Sequence, residues 1–77
     1  MAKVIIYTTP TCVYCKLAME FFVAHNVAYE EKNVAEDEEA REAMISQSGQ
    51  MGVPVISVDG NILVGFDKSK LAELLGV

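Results

Sequence analysis

The sequence is poor in metal-binding side chains. Its 77 residues hold two cysteines, Cys12 and Cys15, and one histidine, His25. A structural zinc site takes four Cys, His or acidic ligands, commonly from two paired motifs. His25 lies ten residues beyond Cys15 on one predicted helix, roughly 15 Å away at 1.5 Å rise per residue, so these three residues cannot close a site within one chain. Positive charge is also scarce, with six Lys and Arg against eleven Asp and Glu, a net charge of −5. That balance excludes nucleic acid, whose phosphates need cations, and anionic membrane surfaces. No apolar run approaches the roughly 20 residues of a membrane span. Val4 to Tyr7 is too short for the apolar part of a secretory signal, and polar residues follow at once. These absences lead us to expect a cytosolic protein, in which paired cysteines are catalytic or metal-binding rather than structural.

Hydrophobic residues, in contrast, make up 52% of the chain, which predicts one compact domain over residues 1–77 rather than disorder. No repeat, linker or low-complexity segment interrupts it. Lys3 to Thr8 reads as a strand buried on both faces and ended by Pro10. Val13 to His25 reads as a helix with a wide apolar face: Tyr14, Leu17, Ala18, Phe21 and Phe22, broadened by Met19 and Val23, with Asn26 as its terminator. Ala28 to Val34 reads as an edge strand. Glu36 to Ser48 reads as a second helix stopped by Gly49, its thin apolar face made by Ala40, Ala43 and Met44. The acidic run Glu36-Asp37-Glu38-Glu39, with Glu42 behind it, suits the positive end of that helix dipole. It reads as a solvated helix start, with a docking patch for a basic partner as the alternative. Residues 54–58 and 61–64 flank Asp59-Gly60, a strong hairpin signal. Asp67 to Leu75 reads as a third helix, capped by Asp67, stapled through Phe66 and Leu71, buried along Leu71, Leu74 and Leu75, and closed by Gly76. The order βαβαββα predicts an α/β fold with a mixed four-stranded sheet flanked by helices.

The stretch TPTCVYCK, residues 9–16, is where chemistry is concentrated. As a staple the pair closes only a four-residue loop, which constrains the unfolded chain by about 2 kcal/mol on the entropic formula. As a metal clip it needs a second chain. As a redox couple it fits its surroundings, because CxxC opening a helix after a strand in a small α/β unit is a fairly specific signal. Cys12 at the helix N-terminus meets unpaired N–H groups and the positive dipole end, which favour the thiolate, and Lys16 adds positive charge nearby. Cys15, one turn on, is expected to be the more buried sulfur and within bonding reach. A pair of chains sharing a zinc or iron–sulfur centre, and a redox-inert adaptor that keeps the fold for docking, are the other readings of the same residues. Val53-Pro54 is the second feature; from the residues alone its bond is expected trans, the commoner X–Pro isomer.

The segments YTTPTCVYCKLA, SGQMGVPVISVDG and LVGFDKSKL, in this order and spacing over essentially the whole chain, resemble the glutaredoxin family of the thioredoxin-fold superfamily. The resemblance implies a thiol–disulfide oxidoreductase with Cys12 as nucleophile and Cys15 as resolving thiol, acting on disulfide-containing proteins or small molecules. It implies that Pro54 is cis and that Val53 offers its backbone to substrate as an added strand would. It also implies that Gly65, Phe66 and Asp67 receive a ligand carboxylate at the third helix. Thr11, Val13, Tyr14 and Lys16 complete the implied substrate contacts. Val13 stands where many members carry proline, and Gly52 and Gly65-Phe66 replace a Thr and a Gly-Gly pattern. The Cys-Val pair and Gly-Phe look like the small reductants that serve ribonucleotide reductase and draw on thioredoxin reductase, whereas Tyr14 looks like the glutathione-using members. The implied donor is therefore glutathione or thioredoxin reductase, the implied protein a monomer without a bound cofactor.

Overall fold

The computed structural model describes residues 3–50 and 52–77. Seven elements follow in the order β1 (Val4–Thr8), α1 (Val13–Ala24), β2 (Glu30–Asn33), α2 (Glu38–Ser48), β3 (Val55–Val58), β4 (Asn61–Val64) and α3 (Lys68–Leu75). The four strands form one mixed sheet in the order β2-β1-β3-β4. β1 pairs parallel with β2 and antiparallel with β3, and β3 pairs antiparallel with β4. This is the α/β architecture that the βαβαββα pattern predicts.

The central strands explain their apolar sequence, since both faces of the sheet are covered. Val4 and Ile6 of β1, with Ile56 and Val58 of β3, pack against Ala18, Phe22 and Leu71 of α1 and α3. Tyr7 and Val55 point the other way, into a second cluster with Ala40 and Met44 of α2. The helices thus form two outer layers, each sealing one face. The edge strands are less buried, and the polar sequence Glu30-Glu31-Lys32-Asn33 of β2 suits its place at the edge, where among the described residues one long side of it pairs with no strand.

Element starts and stops follow local chemistry. The α2 helix begins two residues later than its acidic run suggests: Glu36 and Asp37 donate their backbone N–H groups to the Asn33 carbonyl, and the Asp37 carboxylate caps Ala40 N–H at 3.1 Å. Asp67 caps α3 in the same way, on Lys70 N–H at 3.2 Å, and half-buried Phe66 packs on the cluster that holds Leu71. Asn26 adopts φ 56° after α1, and Asp59 and Gly60 adopt φ 51° and 87°. Positive φ at both central residues is the hairpin geometry that Asp-Gly favours. The β2 strand is shorter than Ala28 to Val34 because it is paired only where it lies beside Ile5 to Thr8.

The α1 helix corrects one expectation. Its buried residues are Cys15, Ala18, Phe21 and Phe22, while Tyr14 and Val23 are about two-thirds exposed and Leu17 is 41% exposed. The apolar face read from the sequence is wider than the sheet can cover, so part of it is left on the surface. In α3 the same holds for Leu74, which is exposed while Leu71 is fully buried.

Candidate active site

The β1 strand delivers the chain to one end of the sheet, and the turn after Thr8 reverses it into α1. Cys12 is the N-cap of that helix, with φ −87° and ψ 110°. Its carbonyl accepts the Lys16 N–H at 3.4 Å, and its Sγ accepts the Cys15 N–H at 3.1 Å. A sulfur therefore occupies the position that Ser, Thr, Asp or Asn holds in most capped helices, facing otherwise unsatisfied N–H groups. No acidic residue lies in the first turn to oppose charge on that sulfur.

Cys12 and Cys15 are joined by a disulfide, their Cα atoms 5.2 Å apart. The pair is asymmetric. Cys12 is half-buried and reachable from solvent, whereas Cys15 is 1% exposed. The Sγ of Cys15 sits 3.9 Å from the Tyr7 carbonyl oxygen, on the strand beneath the helix. One sulfur faces outward, and the other is packed between helix and sheet.

Strand register brings the remaining predicted residues to this end of the molecule. Tyr7 pairs with Val55 across β1 and β3, so Pro54 and Val53 lie just past the same strand end. Pro54 is buried and its peptide bond to Val53 is cis, as the family resemblance implies and against the isomer expected from the residues alone. The Pro54 carbonyl accepts the Gly65 N–H at 2.8 Å, which extends the β3–β4 pairing and ties the start of α3 beside it. Gly65 takes φ 83°, a left-handed conformation that glycine adopts without strain. Phe66 is half-buried behind it. Asp67 is exposed, and its carboxylate already occupies one donor of the α3 turn. Thr11, Val13, Tyr14 and Lys16 are all exposed around Cys12.

The sequence alone did not expose two features of the site. Thr8 is 1% exposed, and its hydroxyl donates to the Glu31 carboxylate at 2.9 Å, linking β1 to the neighbouring strand directly before the cysteine turn. Its signal was a polar residue continuing an apolar strand, which when buried needs a partner. The second is the Tyr7 carbonyl beneath Cys15, a backbone group that no side-chain pattern reports. Among the described residues, no group of three or more His, Cys, Asp and Glu side chains is arranged to hold a metal ion.

Comparison with known proteins agrees with this arrangement. The glutaredoxin family model matches residues 4–63. An uncharacterised glutaredoxin-like 8.6 kDa protein of the rubredoxin operon of Clostridium pasteurianum is 49% identical over 91% of this chain and 93% of its own. Glutaredoxin 3 of Escherichia coli K12 is 37% identical over 87% of this chain and 81% of its own. The glutaredoxin-like protein NrdH of Lactococcus lactis IL1403 is 34% identical over 92% of this chain and 97% of its own. Among solved structures, the glutaredoxin of Archaeoglobus fulgidus superposes with a TM-score of 0.85 at 34% identity, covering 97% of this chain and 87% of that one.

Proposed function

The chain belongs to the glutaredoxin family and is a thiol–disulfide oxidoreductase, and from that premise we propose how its two cysteines divide the work. In the reduced protein the Cys12 thiolate attacks one sulfur of a substrate disulfide. The substrate S–S bond breaks, the far sulfur leaves as a thiolate that takes a proton from solvent, and a mixed disulfide remains on Cys12. Cys15 then loses its proton and attacks Cys12 Sγ. The Cys12–Cys15 disulfide forms, the second substrate thiol departs, and two electrons and two protons have passed to the substrate.

The observation that carries this assignment is the asymmetry of the pair: the Cys12 sulfur caps the helix and meets solvent, while the Cys15 sulfur is buried behind it. An outward sulfur held by an N–H donor suits first attack. A buried one is reached only by the intramolecular step. Around them, Val53 is the residue whose backbone pairs with the bound substrate, Gly65, Phe66 and Asp67 face its far end, and Thr11, Val13, Tyr14 and Lys16 border the attacked sulfur. The chemistry needs no resident cofactor. The chain acts as one domain and a monomer in a reducing, cytosolic compartment, where the couple can be turned over. Among the described residues, no helix is long and apolar enough to cross a membrane.

The oxidised pair is returned to dithiol by glutathione, acting as co-substrate, or by thioredoxin reductase. The likeness to glutaredoxin 3 and that to NrdH are nearly equal in degree, and both donors suit a disulfide at a helix start that is reached through its half-buried Cys12 end. The deciding experiment mixes the oxidised protein with glutathione plus its reductase, and separately with thioredoxin reductase, each with NADPH. NADPH consumption in one arm names the donor. Consumption in neither overturns the proposal.

A further inference from the structure

A groove of about 320 Å³ runs between α1 and the start of α3. Leu17, Phe21 and Ala24 form one wall, Phe66 and Lys68 the other, and His25 closes the far end. Its lining is aromatic in the middle, with ring centroids 6.2 Å apart for Phe21 and Phe66 and 4.4 Å apart for Phe21 and His25. Val13, Leu17 and Ala24 follow one another along one helix face, and that stripe begins at the residue after Cys12. Val13 is 68% and Leu17 41% exposed. This is the part of the α1 apolar face that the sheet does not cover, and it leads from the attacking sulfur into the groove.

Charge is divided between the two sides of the molecule. Glu30, Glu31, Glu36, Asp37, Glu38 and Glu39 line a concavity between β2 and α2, away from this face. Lys16 lies on α1 beside Leu17, and Lys68 opens α3 on the groove wall. Among the described residues the sole ion pair joins Arg41 to Glu38, so these two lysines have no carboxylate within bridging distance. Glu20 is the one acid on the groove wall. In a protein of net charge −5, the groove thus carries an unpaired cation, Lys68, while the acidic run lies elsewhere.

We propose that this groove seats the polypeptide segment flanking the disulfide of a protein partner, with an apolar side chain between Leu17 and Phe66 and a carboxylate against Lys68. The inference rests on the oxidoreductase reading of Cys12 and deepens it: the preferred substrate is an acidic, apolar peptide segment rather than a bare small disulfide. An apolar side chain is what the exposed Leu17 and the aromatic floor recognise, and a carboxylate is what the unpaired lysine recognises. The exposed stripe that leads into the groove starts at the residue after Cys12, which favours the segment flanking the attacked disulfide over a second copy of this chain.

The test uses two synthetic peptides, each bearing one intramolecular disulfide. In one the cysteine is flanked by Leu and Asp, in the other by Ser and Lys. Bis(2-hydroxyethyl) disulfide serves as the small substrate. The Leu/Asp peptide is expected to show about tenfold higher kcat/KM than the Ser/Lys peptide. In Leu17→Gln and Ala24→Arg, both at exposed positions, the ratio of Leu/Asp peptide to small disulfide is expected to fall about tenfold. A Leu/Asp peptide with its cysteines replaced by serine, added to the isotopically labelled wild-type protein, is expected to shift the amide signals of Leu17, Ala24, His25 and Lys68. Equal kcat/KM for the two peptides, or shifts confined to the β2–α2 face, overturns the inference. So does a protein that sediments as a dimer and dissociates in Ala24→Arg, because the groove is then occupied by a second copy. Failure of the wild type to turn over the small disulfide overturns the reading of Cys12 instead, and the amide shifts still decide the groove.

Discussion

The backbone N–H of Cys15 points at the Sγ of Cys12 from 3.1 Å, so the residue that supplies the second sulfur also supplies a hydrogen bond to the first. Two consequences follow from that contact, one for the order of attack and one for the charge on Cys12.

Replacing Cys12 by serine removes the accessible sulfur and is expected to lower turnover of a small disulfide at least a thousandfold. Cys15→Ser keeps the attacking group but cannot release the product. Mass spectrometry of that variant after exposure to a disulfide is expected to show one substrate half attached at Cys12. Attachment at position 15 in Cys12→Ser, at a comparable rate, would reverse the assignment.

The helix start and the Cys15 N–H place donors against the Cys12 sulfur, an arrangement that suits negative charge on it once the disulfide is reduced. Alkylation of Cys12 by iodoacetamide should stay fast below the pH at which a free cysteine slows. A rate profile that matches free cysteine would remove the electrostatic part of the argument.

Thr8 and Glu31 give an asymmetric prediction. Thr8→Val keeps the shape and removes the donor, leaving an exposed carboxylate that water can solvate, and is expected to cost about 1 kcal/mol or less. Glu31→Ala leaves the buried hydroxyl without its partner and is expected to cost more, about 1–3 kcal/mol. Urea denaturation of the two variants measures the order. A larger loss in Thr8→Val would mean that the strand, rather than the hydrogen bond, is what that position holds.

Neighbouring residues of α1 separate the buried from the exposed part of its apolar face. Phe22 is fully buried and Val23 is 66% exposed. Phe22→Ala is expected to cost about 3–5 kcal/mol, most of what a small domain has, whereas Val23→Ala should stay within about 0.5 kcal/mol. Similar melting temperatures for the two variants would contradict the packing described.

The sequence by itself determined what depends on near neighbours. Apolar runs, Asp and Asn caps, glycine stops and the Asp59-Gly60 turn each act within a few residues, so the seven elements and the placement of CxxC at a helix start could be read from the chain. Only the tertiary structure decided which part of the α1 stripe is covered, because Tyr14, Leu17 and Val23 satisfy the same 3.6-residue period as Ala18 and Phe22. The sheet is wide enough for only one side of it. Strand register likewise lies beyond local pattern: it sets Val55 opposite Tyr7, brings Pro54 and Gly65 to the end of β1, and places Glu31 within reach of Thr8. These are contacts between residues 11 to 48 positions apart in the chain, and they form because the whole fold buries its apolar faces together.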